Sequence, residues 1–157
     1  MIAVHVLRRF RKRYGAREFR LFESWIDRYV HNWAHADGVA SWLLSASIAN
    51  DPPVAARLPA WTRSRNRWKR RSAAVAFLQE AKAGRHTEAI LDIADRLAED
   101  TDDMVQKGLG WVLKESYPRR PGAIIEWLEA NKHRTARLVL RLAAEKMTPA
   151  HRQALMS

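Results

Sequence analysis

Eight residues beginning at Arg71 return in altered form thirty-five positions later, and this echo constrains the fold more than any other feature. Arg71-Ser-Ala-Ala-Val-Ala-Phe-Leu78 superposes on Gln106-Lys-Gly-Leu-Gly-Trp-Val-Leu113, and Thr135-Ala-Arg-Leu-Val-Leu-Arg-Leu142 resembles both at a shorter offset. Small residues (Ala73, Ala74, Gly108, Gly110) alternate with large apolar ones, as closely stacked helices require. Strand alternation is absent, and the six Gly and six Pro fall mostly between helical segments. Paired helices at this period predict an all-α, HEAT-like α-solenoid of antiparallel helix pairs.

Boundaries follow from capping and breaking residues. Asp51-Pro-Pro53, Thr101-Asp-Asp103 and Thr148-Pro149 read as helix starts, Gly84 as a stop, and Pro118 and Pro121 as a break. The predicted helices are 2–14, 17–30, 34–49, 53–64, 66–83, 86–99, 103–117, 121–131, 133–146 and 149–155. With 157 residues the chain is read as a single domain, 1–157.

Composition narrows the function classes. There is no cysteine, hence neither a disulfide framework nor a thiolate metal site. The longest uncharged run, Gly38 to Asn50, is far short of the ~20 residues of a membrane span. The first fifteen residues lack a signal peptide's apolar centre, so the cytoplasm is the expected compartment. Lys plus Arg number 28 against 17 Asp plus Glu, a net charge of +11. Such an excess favours a nucleic-acid partner through counterion release. Its alternative source is an arginine-rich genome of high GC content. No cofactor is expected: His31 and His35 have a spacing compatible with zinc, yet surface exposure explains the pair more simply.

In a solenoid of this kind the second helix of every pair lines a concave face. That places Trp33 and Asp37, Arg67 and Arg71, Lys107 and Trp111, and Arg137 and Arg141 along one basic stripe, each pair at i,i+4. A lone acid among Trp and Arg suits binding a polyanion and stabilising a cation. Each residue has a plainer reading: Asp37 as a structural partner of Arg71, and Trp33 and Trp111 as core. Trp25, Trp42, Trp61, Trp68 and Trp127 are assigned to core or inter-helix packing, and Lys69 and Arg70 to a solvated face beside Arg71.

Four motifs in order, Phe22-Glu-Ser-Trp25, Asn32-Trp33 through Asp37, Asn66-Arg-Trp-x-Arg-Arg71-x-Ala and Val105-Gln-Lys-x-x-Gly-Trp111-x-Leu-Lys, resemble the DNA alkylation repair family. This is the AlkD-like, HEAT-repeat group of alkylpurine DNA glycosylases, and the likeness runs from about Phe22 to Met147. It implies removal of cationic N3- and N7-alkylated purines from duplex DNA, without a base-flipping pocket. By the same resemblance, Asp37 is the catalytic carboxylate, Trp33 and Trp111 are the aromatic pair around it, and Arg71 meets a backbone phosphate. Lys114 falls where the family has a basic residue one turn after the second Trp. Arg67, Arg70, Lys107, Lys114, Arg137 and Arg141 complete the expected sequence-independent DNA contacts.

Two departures from the family pattern stand out: further repeats normally precede the first motif, and Ala34 stands where many relatives have a second acid. A shortened array is expected to need cover at its first helices, from an upstream segment or a second copy in a homodimer. The same surface could instead serve a non-catalytic nucleic-acid-binding module or a protein–protein scaffold.

Overall fold

The computed structural model describes residues 2–157, and every regular element among them is helical. Helix α1 (Ile2–Leu7) tightens into a 3₁₀ segment, Arg8–Arg13, and is followed by α2 (Ala16–Tyr29). Helix α3 (Trp33–Gly38) runs through a π-helical segment, Val39–Leu44, into α4 (Ser45–Asn50) without interruption. After a 3₁₀ segment, Pro52–Arg57, come α5 (Leu58–Trp61), α6 (Arg67–Val75), α7 (Leu78–Ala83) and α8 (Thr87–Leu97). Then follow α9 (Asp103–Ser116), α10 (Pro121–Asn131), α11 (Arg137–Ala143) with a 3₁₀ turn, Ala144–Lys146, and α12 (Pro149–Met156). No described helix is long and apolar enough to cross a membrane.

Local chemistry explains these limits. Asn32 opens α3 by accepting from the His35 N–H at 2.9 Å, and Asn66 opens α6 by accepting from Trp68 at 2.9 Å. Asp102 opens α9, accepting from Met104 at 2.9 Å and Val105 at 3.3 Å. A side-chain cap thus recurs with nearly the period of the sequence echo. Gly84 ends α7 with φ +72°, and Thr148 caps α12.

Four expectations are corrected. Asp51 caps no helix of its own: its carboxylate accepts from the Ala16 N–H at 3.1 Å, at the start of α2. The predicted helix 53–64 is a 3₁₀ segment and one α-turn, and Pro59, inside the run, withholds a backbone donor. The predicted helix 66–83 is divided at Ala76–Phe77. Helix 133–146 begins only at Arg137, since Thr135 and Ala136 are held outside it by Asn131 and Ala98.

The helices pack in two rows. In one, α3 lies on α6, α6 on α9 and α9 on α11; in the other, α5 lies on α8, α8 on α10 and α10 on α12. Helix α2 packs against the π segment, α4 and α6. Between them lies a continuous apolar core that includes Phe19, Phe22, Leu43, Phe77, Ile93, Leu109 and Val139. Each such side chain contributes about 1.5–3 kcal/mol on burial.

Glycines set the spacing of the first row. A Cβ on Gly110 would stand 2.7 Å from Leu142 Cβ and 3.3 Å from the Val139 carbonyl, atoms that cannot move without their helix. Gly110→Ala is therefore expected to push α11 from α9 and lower stability by about 1–3 kcal/mol. Urea unfolding followed by circular dichroism measures this, and an unchanged midpoint would contradict the close approach.

Candidate functional site

The first turn of α3 places two side chains of the expected stripe. Trp33, directly after the Asn32 cap, is 57% exposed. Asp37 follows one turn later on the same face. Immediately beyond it the helix widens into its π segment, and the Ser41 hydroxyl donates to the Asp37 carbonyl at 2.6 Å. Such widened turns recur at functional sites because they re-aim side chains without ending the helix.

Asp37 does not face solvent alone. Arg71 Nε donates to its Oδ1 at 2.7 Å and Nη2 to its Oδ2 at 2.8 Å, a fork-on-fork pair. The side chains are only 7% and 15% exposed for Arg71 and Asp37 respectively. The remaining guanidinium nitrogen, Nη1, donates to the Met104 carbonyl on α9. Each of the three Arg71 nitrogens therefore makes a hydrogen bond within the fold.

Gly108 makes this arrangement possible, because a Cβ there would stand 2.9 Å from Arg71 Cγ and 3.4 Å from Nη1. Three residues on, Trp111 lies on the same side of α9, partly buried against the core. The structure therefore joins Asp37, Arg71, Met104 and Gly108 across α3, α6 and α9.

The basic residues of the stripe are less free than their sequence suggests. Arg67 donates to Asp102 at 3.0 Å and Asp103 at 3.1 Å, and Lys107 lies 3.5 Å from Asp103. Lys114 pairs with Glu145 at 2.8 Å. Arg137 donates to the Met156 carbonyl at 3.2 Å, and Arg141 is exposed with no acidic partner among the described residues. Arg70 is no open cation: its side chain is 19% exposed, pairs with Asp100 at 2.7 Å and bonds to the Ser64 carbonyl. Lys69, read as solvated, pairs with Asp27 and Glu23.

The tryptophans divide as well. Trp61 is buried, and Trp25, Trp68 and Trp127 pack partly buried against the core. Trp42, expected inside, is half-buried and bears the Arg8 guanidinium 3.5 Å from its ring centroid. Sequence reasoning passed over Ser41, Met104 and the pairing role of Asp100, Asp102 and Asp103. The run of acids around Asp102 was the available signal, and it had been read only as a helix start. His35 lies near its own cap residue, Asn32, and no group of three or more His, Asp or Glu among the described residues could hold a metal.

Asp102 has two roles, cap and partner of Arg67. Burial pushes its carboxyl up, but the Arg67 hydrogen bond and the Val105 and Met104 N–H groups outweigh it, so the net shift is downward. A lowered folded-state value means stability that is present above the unfolded value of about 3.9 and lost as pH falls through the folded one. Asp102→Asn keeps a cap but removes the charge. With Arg67 substantially exposed, the expected cost near neutral pH is at most about 1 kcal/mol. That difference from wild type should narrow as pH falls below about 3.9 in urea titrations; a gap independent of pH would contradict it.

A search of curated proteins finds no match. The family model described as DNA alkylation repair enzyme matches residues 1–147, which takes in all four motifs, the paired carboxylate and arginine, and the segment before Phe22. An all-helical chain with that match over nearly its whole length belongs to the DNA alkylation repair enzyme family.

Proposed function

We propose that this chain, as a single HEAT-like α-solenoid domain, hydrolyses the N-glycosidic bond of cationic N3- and N7-alkylated purines in duplex DNA. The observation that carries this reading is the geometry of Asp37. Its carboxylate is held at both oxygens by Arg71, one turn from an exposed Trp33, in a member of a DNA alkylation repair family.

An alkylated purine already bears positive charge. When its bond to C1′ breaks, the electron pair neutralises the departing base, so no general acid is needed. Positive charge passes to the sugar as oxocarbenium character, and a fixed carboxylate stabilises it electrostatically. Water then adds to C1′ and gives up a proton. Asp37 is suited to orient that water, as one carboxylate does in glycoside hydrolysis. Arg71 acts as a positioning residue that fixes the carboxylate. Trp33 and Trp111 present π-faces to the cation, worth about 0.5–2 kcal/mol each.

Backbone affinity falls to Arg67, Lys107, Lys114, Arg137 and Arg141. The ion pairs of the first three are partly exposed and worth about 0–1 kcal/mol, so a phosphate can displace the acid at small cost. Arg70 contributes less, because its side chain is already paired with Asp100 and bonded to the Ser64 carbonyl. A non-catalytic DNA-binding module is the second reading. It is favoured by the same pair, since a carboxylate held by a fully engaged arginine is also how a structural ion pair looks.

Duplex DNA containing 7-methylguanine or 3-methyladenine distinguishes the two. Wild-type protein should release free base, and Asp37→Asn should reduce the rate by on the order of 10²–10³-fold. Arg71→Lys keeps the charge but loses the fork, so kcat should fall while KM changes little. DNA binding with no base release by the wild type would select the second reading.

A further inference from the structure

One run of consecutive basic residues without an acidic partner lies away from the stripe, in the 3₁₀ segment Arg8–Arg13. Arg57, Arg67, Lys69, Arg70, Arg71, Arg85, Arg96, Lys107, Lys114, Arg134 and Lys146 all carry a carboxylate partner. Among the described residues, Arg8, Arg9, Arg11, Lys12 and Arg13 have none. His5, Arg8, Arg9 and Arg11 instead line one cleft of about 450 Å³. Like charges converging on a concavity repel one another, and an external anion relieves that repulsion.

The segment is held in place rather than trailing. Asn50, at the end of α4, donates to the Arg11 carbonyl at 2.7 Å and the Tyr14 carbonyl at 2.9 Å. The buried Tyr14 donates its hydroxyl to the Leu7 carbonyl at 2.6 Å. Arg8 is fixed by its stack on Trp42, and among the described residues none accepts a hydrogen bond from its side chain. A guanidinium clamped on its face with its edge unspent is prepared for a forked contact to phosphate. Trp42 lies five residues after Asp37 in the same uninterrupted helix, about 7.5 Å along its axis at α-helical rise.

We infer that the His5–Arg8–Arg9–Arg11 cleft, whose Arg8 is stacked on Trp42, is a phosphate-binding site that grips the DNA backbone beside the helix that carries Asp37. This inference rests on DNA being the substrate, and not on base excision. A basic segment flanked by exposed Ile2, Val6 and Phe10 could also meet an anionic membrane. Nucleic acid is favoured because the DNA alkylation repair match includes these residues and because the cleft lies beside the Asp37 helix.

The test is fluorescence anisotropy of the full chain on a labelled, lesion-free duplex across a salt series. Each phosphate contact contributes about 0.9 to the slope of log affinity against log salt. Combined Arg8→Gln, Arg9→Gln and Arg11→Gln should flatten the slope by about 2–3 and weaken binding tenfold or more at about 100 mM salt. The charge-matched set Arg17→Gln, Arg20→Gln and Arg28→Gln on α2 should change the slope by less than about one unit. Arg9→Gln alone, an exposed position, should remove about one unit, which keeps the test open if the triple variant folds poorly. Arg8→Lys should keep the slope and lose affinity a few-fold, since charge remains and the fork does not.

Equal slopes for the cleft and α2 sets would overturn the inference. So would recovery of the chain on phosphatidylglycerol vesicles that duplex DNA fails to compete away. Asp37→Asn should leave the salt slope unchanged, so an inactive protein with a cleft-dependent slope rejects only the excision reading.

Discussion

The approach of α6 to α9 is the constraint on which the rest of the site depends. Where the two helices meet, Gly108 leaves room for the Arg71 side chain, and the guanidinium crosses to Asp37 on α3 and to the Met104 carbonyl on α9. One side chain thereby ties three neighbouring helices. Removing one partner of a pair this buried costs about 3–5 kcal/mol, because the other charge is left without solvent or counterion. The pair therefore holds the first row of helices together and holds the carboxylate still at once. Catalysis by a fixed charge asks for just such immobility, since a preorganised group needs no rearrangement as the transition state forms.

Charge is distributed in a way that total composition conceals. The net +11 is a property of the whole chain, yet within the α6–α9–α11 row most cations have an acid opposite them. The Lys114–Glu145 pair is partly exposed, while the Arg71–Asp37 pair is the most buried of those that join α3, α6 and α9. A run of basic residues without acidic partners also occupies the short segment ahead of α2, where Asn50 pins the backbone and Arg8 stacks on Trp42.

Much of the fold was legible because helix capping and small-residue spacing are local. Asp102, in the Thr101–Asp103 start signal, and Thr148 open helices through hydrogen bonds to N–H groups two or three residues away; Asn32 and Asn66 do the same, although the sequence reading did not single them out as caps. The failures have equally definite causes. Asp51 has the sequence of a cap, yet its carboxylate finds the start of α2, thirty-five residues upstream, closer than its own helix. Trp42 reads as core from its apolar neighbours, but the π segment sets it beneath Arg8. Lys69 and Arg70 read as solvated because nothing nearby in sequence marks Asp27 or Asp100 as their partners.

From sequence alone came the all-helical class, two of the caps and the order of motifs, together with the candidates Asp37, Arg71, Trp33 and Trp111. These rest on interactions within a turn or two, or on patterns read along the chain. Tertiary structure alone decided which of the many cations are spent and which remain available. Pairing between helices depends on distances of a few ångströms between residues some thirty positions apart, and one-dimensional spacing carries no record of them.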